Sequence, residues 1–355
     1  MKTHTMKVNK IITLTLGLFL SICLQEAKAQ DALLAQYYNN PVYNNPAFTG
    51  VHTGRFRVVA SFRDQWNAIS NTTFRTSNIN FDMRSKIGRG DFLTYGFTGT
   101  NDQTGNANLT YNAAGINLGY MKQLSGNRAR RTSQYLTGGI SLSMGQFFTN
   151  PNSLWFSNQF NEQSTSVDMS LDNGENLNAS TAFFPDFTAG LLYYGVDGEN
   201  SYYFGAAAHH LNRPNISMYE NGNSRRYSRY TIQAGGQIAI SNTTQLLPSF
   251  IWNTQGPSSA ITGGLNFRYS NRDWRELAIR MGSYISFAKE INSNIYLPWV
   301  NAAFVMEFEN MFFGLSYDIS MNALAVPTDS RGAFELSIGY TKPGKYRVKP
   351  KCPKL

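Results

Sequence analysis

The chain has 355 residues, 42% of them hydrophobic and only 15% charged, with 24 Phe, 20 Tyr and 5 Trp. That much aromatic side chain with so little charge excludes a disordered protein, and beyond the first 30 residues no run of about 18 apolar residues offers a membrane helix. The formal net charge of +9 comes from Lys and Arg in short clusters such as Arg128, Arg130 and Arg131, whereas a nucleic-acid binder concentrates them on one element, so no nucleic-acid partner is expected.

The amino-terminal residues read as an export signal. Lys2, Lys7 and Lys10 surround the start of an apolar run over 11–24, and Ala27-Lys28-Ala29 has the small-x-small spacing that signal peptidase cuts. Residues 1–29 are therefore expected to be removed, leaving Gln30 first. Cys23 goes with them, and the bulky Ile22 before it argues against lipidation. Cys352 is then a lone thiol, which excludes a disulfide scaffold and a Cys-based zinc site.

Residues 30–54 carry Gln36-Tyr37-Tyr38-Asn39-Asn40-Pro41 and Tyr43-Asn44-Asn45-Pro46-Ala47-Phe48, with no sustained period. So many Tyr, Phe and Pro residues suggest a packed segment. It is expected either to fold into a lumen as a plug or to lie against a periplasmic partner.

Between residues 55 and 341 the dominant signal is alternation. Met311, Phe313, Leu315, Tyr317 and Ile319 fall on one face of a strand and Gly314, Ser316, Asp318 and Ser320 on the other; Phe334, Leu336, Ile338 and Tyr340 alternate with Ala333, Glu335, Ser337 and Gly339. The same reading holds through Leu136 to Met144, Tyr230 to Ile240, Ile261 to Tyr269 and Leu277 to Phe287. Strands of about 9–12 residues are long for a soluble sheet and suit a tilted crossing of a bilayer. Their polar faces carry Gly, Ser, Thr and Gln in place of Lys and Glu, and aromatics such as Trp252, Tyr269, Phe287 and Tyr340 stand at strand ends. The pattern predicts an all-β transmembrane antiparallel barrel of the outer-membrane type with about fourteen strands. They are expected at 55–63, 72–83, 92–100, 109–122, 133–147, 184–195, 201–209, 228–240, 244–252, 258–269, 276–287, 295–307, 311–319 and 333–341.

An even count puts both termini in the periplasm and leaves the long connections 148–183, 210–227 and 320–332 outside. Residues 342–355 hold five Lys, one Arg and three Pro, so they read as a basic periplasmic tail that does not continue a strand. His52, His209 and His210 are the only histidines after residue 29, and none has a nucleophile motif beside it; even a lipase-like use of His209 on a lipid-facing strand lacks its partners. Asp64, Asp186, Asp318 and Glu335, with Arg57, Arg63, Arg268 and Arg280, fall on or near lumen-facing positions and are expected to pair across the lumen. Enlarging a small inward side chain, as in Ser337→Asn or Ser316→Asn, is expected to be tolerated. No catalytic site, cofactor or metal is expected.

Several motifs occur in order along the chain: Gln36, Asn40-Pro41, Asn45-Pro46-Ala47-Phe48-Thr49-Gly50 and Arg63-Asp64-Gln65-Trp66; then Pro185-Asp186-Phe187, His210-Leu211-Asn212 with Pro214, and Leu247-Pro248-Ser249; then Gly314-Leu315-Ser316-Tyr317-Asp318, Gly332-Ala333-Phe334-Glu335 and Lys351-Cys352-Pro353. Together they resemble the PorP/SprF family of type IX secretion system outer-membrane proteins. The resemblance implies a barrel without enzymatic activity, partnered by a secreted surface protein such as an adhesin, by periplasmic components of the secretion and gliding machinery, or by both. Partner binding is then expected at Asn40, Pro41, Asn45, Pro46, Phe48, Arg63, Asp64, Trp66, Pro185, Asp186, His210, Pro214, Lys351, Cys352 and Pro353. The alternative is a passive channel or small-molecule importer, because a barrel this wide has room to conduct.

Overall fold

The computed structural model describes residues 30–343 except 67–73, 89, 106, 128–131, 162, 173, 271–276, 290–294 and 324. The expected export signal at 1–29 and tail residues 344–355, with Lys351, Cys352 and Pro353, lie outside the described residues.

Fourteen long strands alternate up and down: β1 (Phe56–Gln65), β2 (Phe74–Ile87), β3 (Asp91–Thr104), β4 (Leu109–Asn127), β5 (Thr132–Phe148), β6 (Phe184–Asp197) and β7 (Asn200–His209), then β8 (Arg229–Ala239), β9 (Thr244–Gln255), β10 (Ser258–Tyr269), β11 (Leu277–Lys289), β12 (Trp299–Phe308), β13 (Met311–Ser320) and β14 (Arg331–Lys342). Each pairs antiparallel with its sequence neighbours, and β1 pairs with β14 from Phe56↔Lys342 to Gln65↔Ala333. The sheet is thereby a closed barrel without free edges, the only kind of sheet whose backbone polar groups are all satisfied in lipid. Among the described residues no helix is long and apolar enough to cross a membrane.

The period-two pattern sorts the wall into two faces. Leu136, Ile140, Leu142 and Met144 on β5, and Met311, Phe313, Leu315, Tyr317 and Ile319 on β13, are exposed on the outside. Their inward neighbours are polar and buried, among them Asn78, Asn80 and Asp82 on β2 and Glu335 and Ser337 on β14. An apolar exterior over a polar, buried interior is the inverse of a soluble barrel, and it is the arrangement that a bilayer stabilises.

Strand limits differ from the sequence reading where pairing outruns apolarity. β4 continues to Asn127 and β3 to Thr104, because ladder hydrogen bonds need no apolar side chain beyond the lipid. The strand expected over 295–307 instead splits into Ile295–Tyr296 and β12, since Pro298 has no N–H for the ladder. Pro248 stays within β9, but there the β8 ladder skips from Gly235↔Ser249 to Ile238↔Leu246.

Connections at the end where β1 starts are short, at 88–90, 198–199, 240–243 and 309–310. The β6–β7 turn is two residues, Gly198 and Glu199, with Gly198 at φ 62°, a left-handed geometry that favours glycine in tight hairpins. At the other end the connections 149–183, 210–228 and 321–330 are long. The first two are joined by bridges such as Leu177↔Tyr219. The two ends are called the turn end and the loop end below.

Candidate functional site: a lumen filled by the chain's own amino-terminal segment

Residues 34–52 run through the barrel interior and are almost entirely buried: Gln36, Asn45, Ala47, Phe48, Thr49 and Val51 have no measurable exposure. Two Asn-Pro steps shape the segment. Pro41 opens α1 (Pro41–Asn44) and Pro46 opens a 3₁₀ turn over Pro46–Phe48, the position where proline's fixed φ and missing N–H cost nothing. The two asparagines act differently. Asn45 caps its own turn by accepting from the Ala47 amide at 2.9 Å, and its side-chain amide donates to the β6 and β7 carbonyls of Leu191 (3.1 Å) and Ala206 (3.3 Å). Asn40 turns to the wall instead, donating to Ser61 and Asn78 and accepting from Asn80.

Three further sets of contacts hold the plug. On β14 the Glu335 carboxylate accepts from the backbone amides of Ala35 (2.7 Å) and Gln36 (2.9 Å), while the Gln36 side chain donates to the Glu335 carbonyl at 2.9 Å. Asn39 donates to Ser337 at 3.0 Å and accepts from Arg280 at 2.9 Å. On β11 Tyr284 stacks on Tyr38 with ring centres 4.9 Å apart, and Tyr37 shares a 3.0 Å hydrogen bond with Ser249 of β9. Near the turn end Asp82 accepts from the Gly50 amide at 2.7 Å and from Arg57 at 2.9 Å, and Arg84 donates to the Gly50 carbonyl at 2.9 Å.

Inward glycines make room for this backbone. A Cβ at position 139 would stand 2.5 Å from the Pro46 carbonyl oxygen and 2.6 Å from the Ala47 nitrogen; at 190 it would run into the Asn45 side chain, and at 314 into Gln36. Glycine is needed at position 139 because backbone, not a movable side-chain tip, occupies the space.

Several interior charges are paired. Arg63 bridges Asp318 and Glu335, and Glu307 takes Arg268 at 2.7 Å and Arg280 at 3.0 Å. Asp186 meets His210 and, at 3.6 Å, Arg226. Buried groups of this kind fix shape, because removing the shared member, Arg63 or Glu307, takes the counter-charge from both of its partners. Among the described residues no three His, Cys, Asp or Glu side chains converge as a metal site.

The expected partner-binding residues therefore separate. Asn40, Pro41, Asn45, Pro46 and Phe48 are fasteners of the plug, closed off by the wall, and no partner reaches them while the plug is seated. Arg63 and Asp186 are likewise inside. Asp64 corrects the sequence reading: alternation turns it away from the lumen, and it pairs with half-exposed Arg75 at 3.2 Å. Trp66 sits at the loop end of β1 and donates its amide to the Gly332 carbonyl. Pro185 accepts from Asn212 at 2.7 Å, His210 follows the end of β7 with φ 55°, and the Pro214 carbonyl accepts from the Arg226 amide. The Asn212–Pro185 bond and the Asp186–His210 pair tie the 210–228 loop to the barrel rim, and the Pro214–Arg226 bond closes the loop on itself. His209, considered above for a lipid-facing role, points inward with Nε2 3.0 Å from the Asn44 carbonyl.

Sequence reasoning missed Asp82, Arg84, Glu307 and the glycine groove. Alternation alone could have placed the first three inward, as it did Arg57. Gly314 stands among the ordered motifs, but no local pattern says what its missing side chain makes room for, and Gly139 looks like the many other glycines of the strands.

The even strand number puts the start of β1 at the same end as the finish of β14, but it does not say where the preceding segment goes. Of the two courses expected for residues 30–54, lumen or periplasmic partner, residues 34–52 take the lumen, where their amides and carbonyls find partners.

Similarity to solved structures is distant. The chain shares 8% identity with the P. putida toluene transporter TodX (TM-score 0.43, 86% of this chain and 94% of that one). It shares 10% with the TodX deltaS2S3 mutant, a monoaromatic hydrocarbon channel (TM-score 0.47, 86% and 94%). With CdiB from Acinetobacter baumannii it shares 8% (TM-score 0.43, 81% and 60%). No curated protein matches the chain. The family model for the type IX secretion system membrane protein PorP/SprF matches residues 26–340. This closed fourteen-stranded barrel of the outer-membrane type belongs to the PorP/SprF family of type IX secretion system membrane proteins.

Proposed function

We propose that the protein is a non-enzymatic, self-plugged anchor in the outer membrane, exported by cleavage after Ala29, that supports export or surface attachment of a secreted partner such as an adhesin. In this reading the short-turn end faces the periplasm and the long loops face outward, with the tail after Lys342 meeting periplasmic components of the machine. One observation carries the reading: the lumen is occupied by residues bonded to half of the wall's strands, β14, β1, β2, β6, β7, β9 and β11. A barrel filled in this way has its functional surfaces at its two ends, not along a conducting path.

Deleting residues 344–355 and, separately, replacing the loop 149–183 by a short turn tests it. Both variants should give a heat-modifiable barrel in the outer membrane, and at least one should lose the export or retention of a surface protein and the machine components that copurify with the wild type. Full export by both variants would sink the anchor reading. Conductance of the purified wild type in planar bilayers tests the channel alternative; the seated plug predicts a closed barrel.

A further inference from the structure

The plug enters and leaves the lumen at opposite ends. Arg55 donates its amide to the Lys342 carbonyl at 2.7 Å, at the turn end where β1 begins and β14 finishes. Going upstream, the segment climbs. Gly50 is held by Asp82 and Arg84 near the turn end of β2. Phe48 meets Tyr203, Asn45 reaches Ala206, and the Asn44 carbonyl faces His209, the last residue of β7. Successive contacts at 203, 206 and 209 mark a rise along one strand at about 3.3 Å per residue.

Next, the Tyr43 ring lies 5.7 Å from the guanidinium of Arg229, which opens β8 at the loop end, and its hydroxyl donates to the Ala32 carbonyl at 2.8 Å. Between these two points residues 35–40 dip to the middle of the wall and return. Ala32 and Arg55 thus stand at opposite mouths, and Leu33 is exposed.

We infer that the amino terminus created by export cleavage is displayed at the loop-side mouth, beside 149–183 and 210–228, while the tail that follows Lys342 leaves from the turn side. The chain then reaches both sides of the membrane, and a cell-surface protein, not a periplasmic one, is the partner that can engage the amino end. Gln30 is two residues from Ala32, a reach of at most about 7 Å, too little to return through the lumen. The inference rests on the orientation assumed in the proposed function, but its test reads topology, not export.

Cysteine labelling on intact cells decides it. Asp31→Cys in a Cys352→Ser background reports the amino end, and the wild type, with Cys352, reports the tail. With a bulky membrane-impermeant maleimide, the thiol introduced by Asp31→Cys should react on intact cells, and Cys352 only once the outer membrane is permeabilised. A heat-modifiable band confirms assembly, and an unlabelled periplasmic thiol protein confirms that the cells are sealed. Reaction of the introduced thiol only after permeabilisation, or only after denaturation, overturns the inference. Labelling of Cys352 on intact cells overturns it too, by inverting the barrel or placing both ends outside. Cargo export measured in the same strains separates this outcome from failure of the anchor reading.

Discussion

The carboxylate of Glu335 is the point at which the plug can be tested with the smallest change to the wall. It accepts two plug amides, Ala35 at 2.7 Å and Gln36 at 2.9 Å, and takes Arg63 at 3.1 Å. In Glu335→Ala, Arg63 keeps Asp318, so the wall retains a partner for its buried cation, but both plug amides lose their acceptor where Ala35 and Gln36 are buried. A buried amide left unsatisfied costs about 1–3 kcal/mol, so seating of the plug should weaken by roughly 2–6 kcal/mol. At about 1.4 kcal/mol per tenfold, the unseated fraction rises by roughly 30-fold to 10⁴-fold. Glu335→Gln keeps one acceptor and presents an NH₂ to the other amide, so it should fall between the two. Hydrogen exchange read on peptides covering 34–52 is the assay, with heat-modifiability as the control for an intact barrel. Exchange at Ala35 and Gln36 as slow in Glu335→Ala as in the wild type would refute the reasoning.

Four further outcomes are expected. Gly139→Leu must displace the Pro46–Ala47 backbone, so the barrel should assemble while conductance in planar bilayers rises above that of the wild type. Leu315→Arg and Leu336→Arg place charge on the lipid face at about 2–4 kcal/mol each near the midplane and should prevent assembly, seen as loss of the heat-modifiable band. Ser337→Asn, expected from sequence to be tolerated, should instead loosen the plug by about 1–3 kcal/mol of overpacking, because Ser337 is 1% exposed and bonded to both Gln36 and Asn39; faster exchange over 34–52 in an intact barrel would show this. Burial lowers the pKa of His52 to about 3, so the seated plug holds it neutral; seating stability is full above about 6.5, the ordinary histidine value, and is lost as pH falls from there toward 3. Exchange over 34–52 should accelerate across that window in the wild type and stay flatter in His52→Phe.

The wall was legible because a barrel strand obeys a rule with a single period. Met311 to Ser320 and Ala333 to Thr341 could be assigned to faces residue by residue, and the exposed Phe313, Tyr317, Phe334 and Ile338 stand where alternation put them. Strand number came from the same local chemistry. The type of residue between 30 and 54 also showed that the segment packs against something.

What it packs against was decided only by closure of the sheet. A plug contact joins residues about 300 positions apart in sequence, such as Gln36 and Glu335, and no local period records which inward Ser, Asn or Gly it will meet. Polarity on the inner wall was equally consistent with water. Once the wall closes, each inward amide, carbonyl and carboxylate must find a partner or bear a desolvation cost. The Asn-rich segment supplies those partners, which turns residues that read as a docking peptide into the filling of the lumen. Strand parity put the start of β1 and the finish of β14 at one end; the path of the plug, from Ala32 at one mouth to Arg55 at the other, followed from where the wall left space.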